Sequence, residues 1–392
     1  MGVYMHILFY QYRSYTRADM MEAFKAAGIT FSTYDYKFKN KNKDDKFLHD
    51  FSQTLKEGSF DAVFSINYYP LIAEACYETN IKYLAWAYDC PLNVRRIEDT
   101  LGYPTNYLFL FDRLQAEKYQ EQGFDHVYHL PLAVNTQRLD AMCPSPEHIQ
   151  LYQGDVAFIG SLYEYAYPDL VAPLPEYLQG YLDGICESQL NVYGCYFLDQ
   201  MLSRELLSDI NAIYRQKYPD SGFRLIKEEL SYAMAAQITH NERVRLLLAL
   251  TELSEITINL FSDHKMGHPR IQEKGRVVYA TQMPYVFKTN RINLNMSLKC
   301  IPSGIPLRAV DILGSNGFLL SNYQPELLEY FEPGVDFAVY TSIDEARDLT
   351  RYFLNHDDER QRISLNGYQK VKEYFTYSSR LNTIFHTAGL IP

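Results

Sequence analysis

The sequence predicts an α/β protein built from two open parallel-sheet domains in tandem, facing a central cleft, with a helical insertion in the second. Three observations predict it. Short apolar runs alternate with helical stretches through the first third of the chain, the pattern of right-handed strand–helix–strand crossovers. A turn-rich break, Leu130-Pro131-Leu132 to Cys143-Pro144-Ser145-Pro146, is followed by a restart at Asp155-Val156-Ala157-Phe158-Ile159-Gly160-Ser161. The length, 392 residues, suits two domains, and a hydrophobic fraction of 47% gives each a core.

In the first domain, strands are expected at residues 4–10, 31–36, 61–66, 82–88, 107–111 and 126–130. Helices are expected at 17–27, 44–56, 70–78 and 113–122, with Gly28 and Gly58 as stops. The domain covers 1–135 and is joined by the C-terminal helix 376–392. Residues 136–152 form a linker, and 153–375 the second domain. There, strands are expected at 155–159, 190–193, 256–261, 276–279, 292–295, 317–320 and 336–340. The stretch from about 200 to 254 turns helical, with apolar residues three and four apart in 203–214 and 241–253. Ser342-Ile343-Asp344-Glu345 reads as a capping box before a helix at 345–354. Ligands of such folds bind at the carboxyl ends of the strands, and a cleft between domains is the default pocket.

The net charge of −11 argues against non-specific nucleic-acid binding, which needs a cationic face. Thirty-five tyrosines against one tryptophan supply apolar bodies with polar tips, and composition leaves open where they sit. Cysteines 76, 90, 143, 186, 195 and 300 form no C-x-x-C pair and no zinc spacing, so reduced thiols are expected. The apolar start lacks a basic region and a cleavage site, and no run of about 20 uncharged apolar residues occurs. The expectation is a cytoplasmic protein without a transmembrane segment. The first strand runs into Gln11-Tyr12-Arg13-Ser14 and not into G-x-G-x-x-G, against a nicotinamide or flavin enzyme, and there is no P-loop.

One segment breaks the acidic balance. Residues 264–308 hold Lys265, Arg270, Lys274, Arg276, Lys288, Arg291, Lys299 and Arg308 against one acid, Glu273. An anionic ligand explains such an excess, since charge-assisted bonds to phosphate are strong, although half or more of these side chains are expected to be solvated surface. Within the segment, Ser303-Gly304-Ile305-Pro306-Leu307 announces a helix start. Backbone N–H groups there, with the helix dipole, suit a diphosphate. Arg308 falls in the first turn and would neutralise a leaving group. Asp311, three residues on, either accepts both hydroxyls of a ribose or simply favours the dipole.

The run Ile301-Pro302-Ser303-Gly304-Ile305-Pro306-Leu307-Arg308, Asp311, Gly317-Phe318-Leu319-Leu320-Ser321-Asn322-Tyr323 and Phe331-Glu332-Pro333-Gly334 resembles the C-terminal domain of CgeB-like glycosyltransferases, relatives of the group-1 family. Trp86-Ala87-Tyr88-Asp89-Cys90-Pro91 is similar to the DUF3880-like domain that precedes it. The resemblance implies a GT-B fold with two Rossmann-like domains, a nucleotide-sugar donor in the second, and an acceptor facing the first. In group-1 enzymes a Glu at the place of Asp311 holds the ribose, and a Glu eight positions earlier contacts the donor sugar. Here that place is Ser303. Their arginine–lysine phosphate clamp begins after the strand equivalent to 155–159, where this chain has Gly160-Ser161-Leu162-Tyr163-Glu164 and no basic residue. Lys288 or Arg308 is the expected substitute.

The donor side is therefore read as Gly160, Ser161, Tyr279, Lys288, Ser303, Gly304, Ile305, Pro306, Leu307 and Asp311, with Arg308 relieving charge. The general base is read as Asp89, at the carboxyl end of the fourth strand; a turn-capping aspartate is the equal alternative. Tyr12 and Arg13 are placed on the acceptor side or on plain surface. No cofactor is expected, and no metal, since there is no D-x-D triplet. The donor is expected to be a UDP-sugar. The acceptor is a protein serine or threonine, as in flagellin or surface proteins, or a glycan or lipid-linked saccharide. A non-catalytic nucleotide- or sugar-binding assembly protein is the competing class.

Overall fold

The computed structural model describes residues 5–12, 14–92, 94–95, 97–163 and 167–391. The chain divides into two units. Unit 1 is Met1–Leu139 with Ser303–Gly314 and Lys370–Pro392; unit 2 is Asp140–Pro302 with Ser315–Gln369.

Unit 1 alternates strand and helix. The order is β1 (His6–Gln11), α1 (Arg17–Ala26), β2 (Thr30–Asp35), α2 (Asp45–Glu57), β3 (Ala62–Ile66), α3 (Pro70–Thr79), β4 (Lys82–Ala87), α4 (Glu98–Leu101), β5 (Asn106–Leu110), α5 (Arg113–Glu121), β6 (Val127–His129) and α6 (Thr136–Ala141). All strand pairs are parallel, in the order β2-β1-β3-β4-β5-β6. Every residue of β3 is buried, as helices on both faces of a parallel sheet require. Edge strand β2 is half-exposed. Helix starts follow local chemistry. Asp44 caps α2 by accepting from the Phe47 amide at 3.1 Å, and Pro70 opens α3, where its missing N–H is harmless. Many tyrosines prove to be core residues with bonded tips. Tyr10 donates to the Tyr36 carbonyl at 2.7 Å, and Tyr83 meets Ser65 at 2.7 Å. Tyr10, Phe38, Phe47 and Tyr69 form one aromatic cluster.

Unit 2 begins with α7 (Pro146–Tyr152) and β7 (Gly154–Ile159). A helical block follows: α8 (Tyr167–Val171), α9 (Glu176–Leu190), α10 (Leu198–Met201), α11 (Arg204–Lys217) and α12 (Lys227–Leu250). The sheet resumes with β8 (Ile258–Phe261), β9 (Ile271–Glu273), α13 (Met283–Thr289) and β10 (Asn290–Asn295). The chain then passes through α14 (Leu307–Gly314), which belongs to unit 1, and returns as β11 (Leu319–Asn322), α15 (Pro325–Tyr330), β12 (Ala338–Tyr340) and α16 (Ile343–Leu354). Helices α17 (Asp357–Tyr374) and α18 (Tyr377–Thr387) end the chain. The second sheet is also all parallel, in the order β12-β11-β10-β7-β8-β9.

Two expected strands are absent. Residues 190–193 leave the end of α9 as a loop, which the Gln189 side-chain amide ties down through the carbonyls of Val192 and Cys195. Residues 276–279 are irregular: Gly275 turns the chain at φ 72° and Arg276 pairs with Asp263 at 2.6 Å. The edge strand is β9 instead. The helical block starts before residue 200, and α12 is one helix where only its second half was legible. The capping signal before α16 is shifted by one residue: Ser342 accepts from the Glu345 amide, while the Glu345 carboxylate binds the amide and hydroxyl of Thr341.

Unit 2 also encloses charge. The fully buried Glu242 carboxylate accepts from Tyr193 at 3.1 Å and Tyr340 at 3.3 Å, and lies 3.3 Å from the Lys299 ammonium. That ammonium stands 3.8 Å from the Tyr193 ring centroid. Burial pulls the Lys299 pKa down while Glu242 pulls it back up. Among the described residues no helix is long and apolar enough to cross a membrane, and the six cysteines form no disulfide. Removing one partner of a buried pair leaves an uncompensated charge. Lys299→Met should therefore lower unfolding free energy in urea by about 3–5 kcal/mol, with part of the loss recovered in the Glu242→Gln/Lys299→Met double variant.

Candidate functional site

In unit 1 the strand order reverses between β1 and β3, and the loops at that carboxyl edge hold the expected base. Asn67 follows β3 in the left-handed conformation, φ 66°, which asparagine tolerates better than most residues. Its side-chain carbonyl accepts from the amides of Tyr88 at 2.7 Å and Asp89 at 3.1 Å, and its amide donates to the Asp89 carboxylate at 2.8 Å. One side chain thus fixes the exit of β4. Asp89 meets solvent, yet its loss of hydration pushes its pKa up, while Lys41 and the Asn67 bond pull it down. Tyr69, beside Asp89 and Tyr12, is pushed up to about 12, mainly by burial. The structure therefore brings Tyr12 and Asp89 to one edge. Arg13 lies outside the described residues.

Helix α14 joins this neighbourhood. Asp311 is buried and close enough to the Tyr88 hydroxyl to help raise its pKa, after burial itself. Arg308 occupies the first turn and stands 3.9 Å from Asp311, too far for a strong bond. The turn before the helix departs from expectation. The amides of Ser303 and Gly304 both donate to Asp112, at 2.8 and 2.7 Å. The other Asp112 oxygen caps α5 by accepting from Gln115 at 2.8 Å, and the Ser303 hydroxyl accepts from the Leu114 amide at 3.3 Å. These two amides are therefore committed to a protein carboxylate and are not open to a diphosphate. The helix starts at Leu307, with Pro306 before it, and the Ala309 amide donates to the Pro306 carbonyl at 3.0 Å. Ser303, Gly304 and Ile305 are buried, and a Cβ on Gly304 would lie 2.9 Å from the backbone of Asp112.

In unit 2 the reversal lies between β7 and β10. Gly160 and Ser161 end β7 there as expected. The missing positive charge comes from elsewhere in sequence: Arg243 of α12 donates to the Ser161 carbonyl at 2.5 Å and to the Met296 carbonyl, so its guanidinium spans the two strand ends. It also stacks on Phe158 and Tyr163 at 5.1 and 4.8 Å. A cavity at the carboxyl ends of β10 and β11, lined by Tyr193, Lys299 and Asn322, measures about 20 Å³, room for about one water.

Lys288 is not at that edge. It sits in the last turn of α13, two residues before β10 begins, and donates to the Met142 carbonyl at 2.9 Å. Six residues of strand, about 20 Å, separate it from the β10 carboxyl end. Burial lowers its pKa. It cannot replace a clamp after β7. Tyr279 lies in the connection from β9 to α13. The basic segment is likewise dispersed: Arg291 pairs with Asp155 and Asp357, and Arg270 binds the carbonyls of Thr251 and Leu253 at the end of α12.

Two all-parallel six-stranded sheets, one per unit, match known architectures over the whole chain. Anabaena HepE in complex with UDP-glucose aligns with a TM-score of 0.58 at 10% identity, covering 99% of this chain and 100% of that one. Sucrose-phosphate synthase from Thermosynechococcus elongatus gives 0.56 at 8%, over 97% and 98%. The UDP-forming trehalose-phosphate synthase from Burkholderia xenovorans gives 0.54 at 12%, over 98% and 99%. The fold is GT-B. Within this GT-B chain, residues 242–386 match the family model described as glycosyl transferase-like. No curated protein matches in sequence. The matched segment of the GT-B fold contains α14 with Arg308 and Asp311, and begins at Glu242 and Arg243.

The sequence reading missed Asp112, Asn67 and Arg243. Each lies far along the chain from the groups it holds, and only the Asp that caps α5 left a local signal. Asp112→Ala strands buried donors, so it should lower unfolding free energy in urea by about 3–5 kcal/mol. Ser303→Ala should cost about 1 kcal/mol. An Asp112→Ala midpoint matching that of the native chain would show that the clamp contributes nothing.

Proposed function

We propose that this protein transfers a sugar from a nucleotide-diphosphate sugar, a UDP-sugar by preference, to an acceptor hydroxyl. The observation that carries the reading is the glycosyl transferase-like segment on a GT-B fold, with its Arg308–Asp311 helix beside the Tyr88–Asp89 loop in unit 1. The HepE structures with UDP and UDP-glucose support UDP as the nucleotide. We assign the chain to the CgeB-like branch with a DUF3880-like first domain, on the motifs around Asp89 and Arg308.

In this mechanism Asp89 takes the proton from the acceptor hydroxyl, oriented by Asn67. Arg308 and the positive end of the α14 dipole stabilise the departing diphosphate as its charge develops. Asp311 binds the ribose. Arg243 supplies positive potential at the ends of β7 and β10, near Gly160 and Ser161, and holds the two loops. Protein cations thus do the work of a metal, and turnover should survive EDTA. The acceptor is the hydroxyl of a protein serine or threonine or of a glycan, and the reaction belongs in the cytoplasm, where thiols stay reduced. A second reading has one observation in its favour. Asp112 occupies the amides of Ser303 and Gly304, which suits a GT-B-like protein that binds nucleotide without turnover.

A thermal-shift series with UDP, GDP, dTDP, ADP and CMP separates these. UDP should raise Tm selectively through binding linkage, and no shift with any nucleotide would remove the donor site. UDP-sugar hydrolysis or transfer then decides between enzyme and binding protein. Arg308→Ala should reduce turnover ~100-fold or more with unchanged Tm. Because a base acts only when ionised and burial raises the Asp89 pKa, kcat/KM should rise with pH to a midpoint above the ordinary carboxylate range. Asp89→Asn should lose at least ~100-fold and that limb of the profile.

A further inference from the structure

The helical block of unit 2 enters the mechanism above only through Arg243 of α12, yet it holds a cavity of about 330 Å³ between α8, α9 and α12. Its walls mix apolar surface from Pro168 and Val171 with polar side chains. Asp183 and Glu187 stand one turn apart on α9, Gln237 and Asn241 one turn apart on α12, and Tyr167 of α8 closes an end. These groups are held before any ligand arrives. Tyr167 donates to Asp183 at 2.8 Å, Gln237 donates to Asn241 at 3.0 Å, and Arg245 binds both oxygens of Glu187 at 2.7 and 2.8 Å. One Asp183 oxygen, the Gln237 carbonyl and the Asn241 amide hydrogens remain for a visitor. Cys186, also in the wall, is no nucleophile: burial pushes its thiol up to about 12, so it stays protonated.

The outer face of α9 carries a second, independent signal. Gly180 and Gly184 lie inside the helix, where glycine weakens it relative to alanine, and nothing lies within 4 Å of a Cβ built on either. Packing therefore does not require them. At about 100° per residue, this bare row runs between the Asp183/Glu187 row and a row formed by Tyr177 and Tyr181, which are 70% and 45% exposed. Carboxylates, amides, a strip of open backbone and two exposed rings stand side by side.

A sugar ring presents hydroxyls at its rim and C–H faces above and below. Carboxylates and amides pair with the rim, and tyrosine rings cover the faces. Two carboxylates repel a phosphate, and an apolar helix would leave the amides and carboxylates of this mixed wall unpaired. We propose that this site binds a neutral saccharide, with one unit in the cavity and further units along the glycine strip of α9.

The full chain is tested on an array of neutral and anionic glycans. Titration calorimetry with the retained saccharide then compares the native protein with Asp183→Asn and Gly184→Leu, and the UDP thermal shift is read on the same samples. A neutral glycan should be retained, and both variants should raise its Kd at least ~10-fold. Gly184→Leu should do so while raising Tm by ~1 °C, which a purely structural role for the glycine does not produce. The UDP shift should be unchanged in both. No retained glycan, retention of anionic glycans alone, or an unchanged Kd in either variant would overturn the proposal. A lost UDP response with saccharide binding intact would instead remove the donor reading and leave this site standing.

Discussion

The carboxylate of Asp112 is the interaction on which the geometry of the expected site depends. It is fully buried, and a buried charge is tolerated only when hydrogen-bonded on every side. One oxygen caps α5 and the other gathers the Ser303 and Gly304 amides. The loop after β5 and the approach to α14 are therefore one electrostatic unit. That arrangement sets where α14 begins, and hence where Arg308 and Asp311 stand. Gly304 has no Cβ because the Asp112 backbone occupies that space. The same residues that looked like a phosphate cradle serve as a joint between elements 190 positions apart.

Unit 2 handles charge by a related device. Helix α12 sends Glu242 and Arg243 inward from consecutive positions. Glu242 meets Lys299, and Arg243 meets the carbonyls that end β7 and β10. In a parallel sheet those carbonyls collect at the edge where the strand order reverses, and a guanidinium with a rigid fork of donors satisfies two of them at once. The loop after β7 carries no basic residue of its own, and α12 delivers one from over 80 residues away. Asn67 does the same service in unit 1, where a single amide orders the loop that carries Asp89.

Local pattern made most of the architecture legible. The strands of unit 1 lie within a residue or two of their expected ends, because each is an apolar run bounded by polar helix starts. The misreadings were also local in origin. Residues 190–193 are largely apolar but continue from a helix end, and Val277-Val278-Tyr279 follow a glycine turn and join no strand. The first half of α12 was passed over because a helix buried on most sides loses its amphipathic period.

By itself the sequence determined the two α/β repeats, the insertion, the helix start just before Arg308 and the likeness of its last third to a glycosyl transferase-like model, since all of these are written in period, turn chemistry and short motifs. Tertiary structure alone decided where the cations and amides stand and which partners they meet. Lys288 and Arg308 look equivalent along the chain, but strand direction puts the first at the amino edge of the sheet. Ser303 and Gly304 look like open donors, but a carboxylate brought by folding has already paired them. Partnership is a property of space, and residue spacing does not encode it.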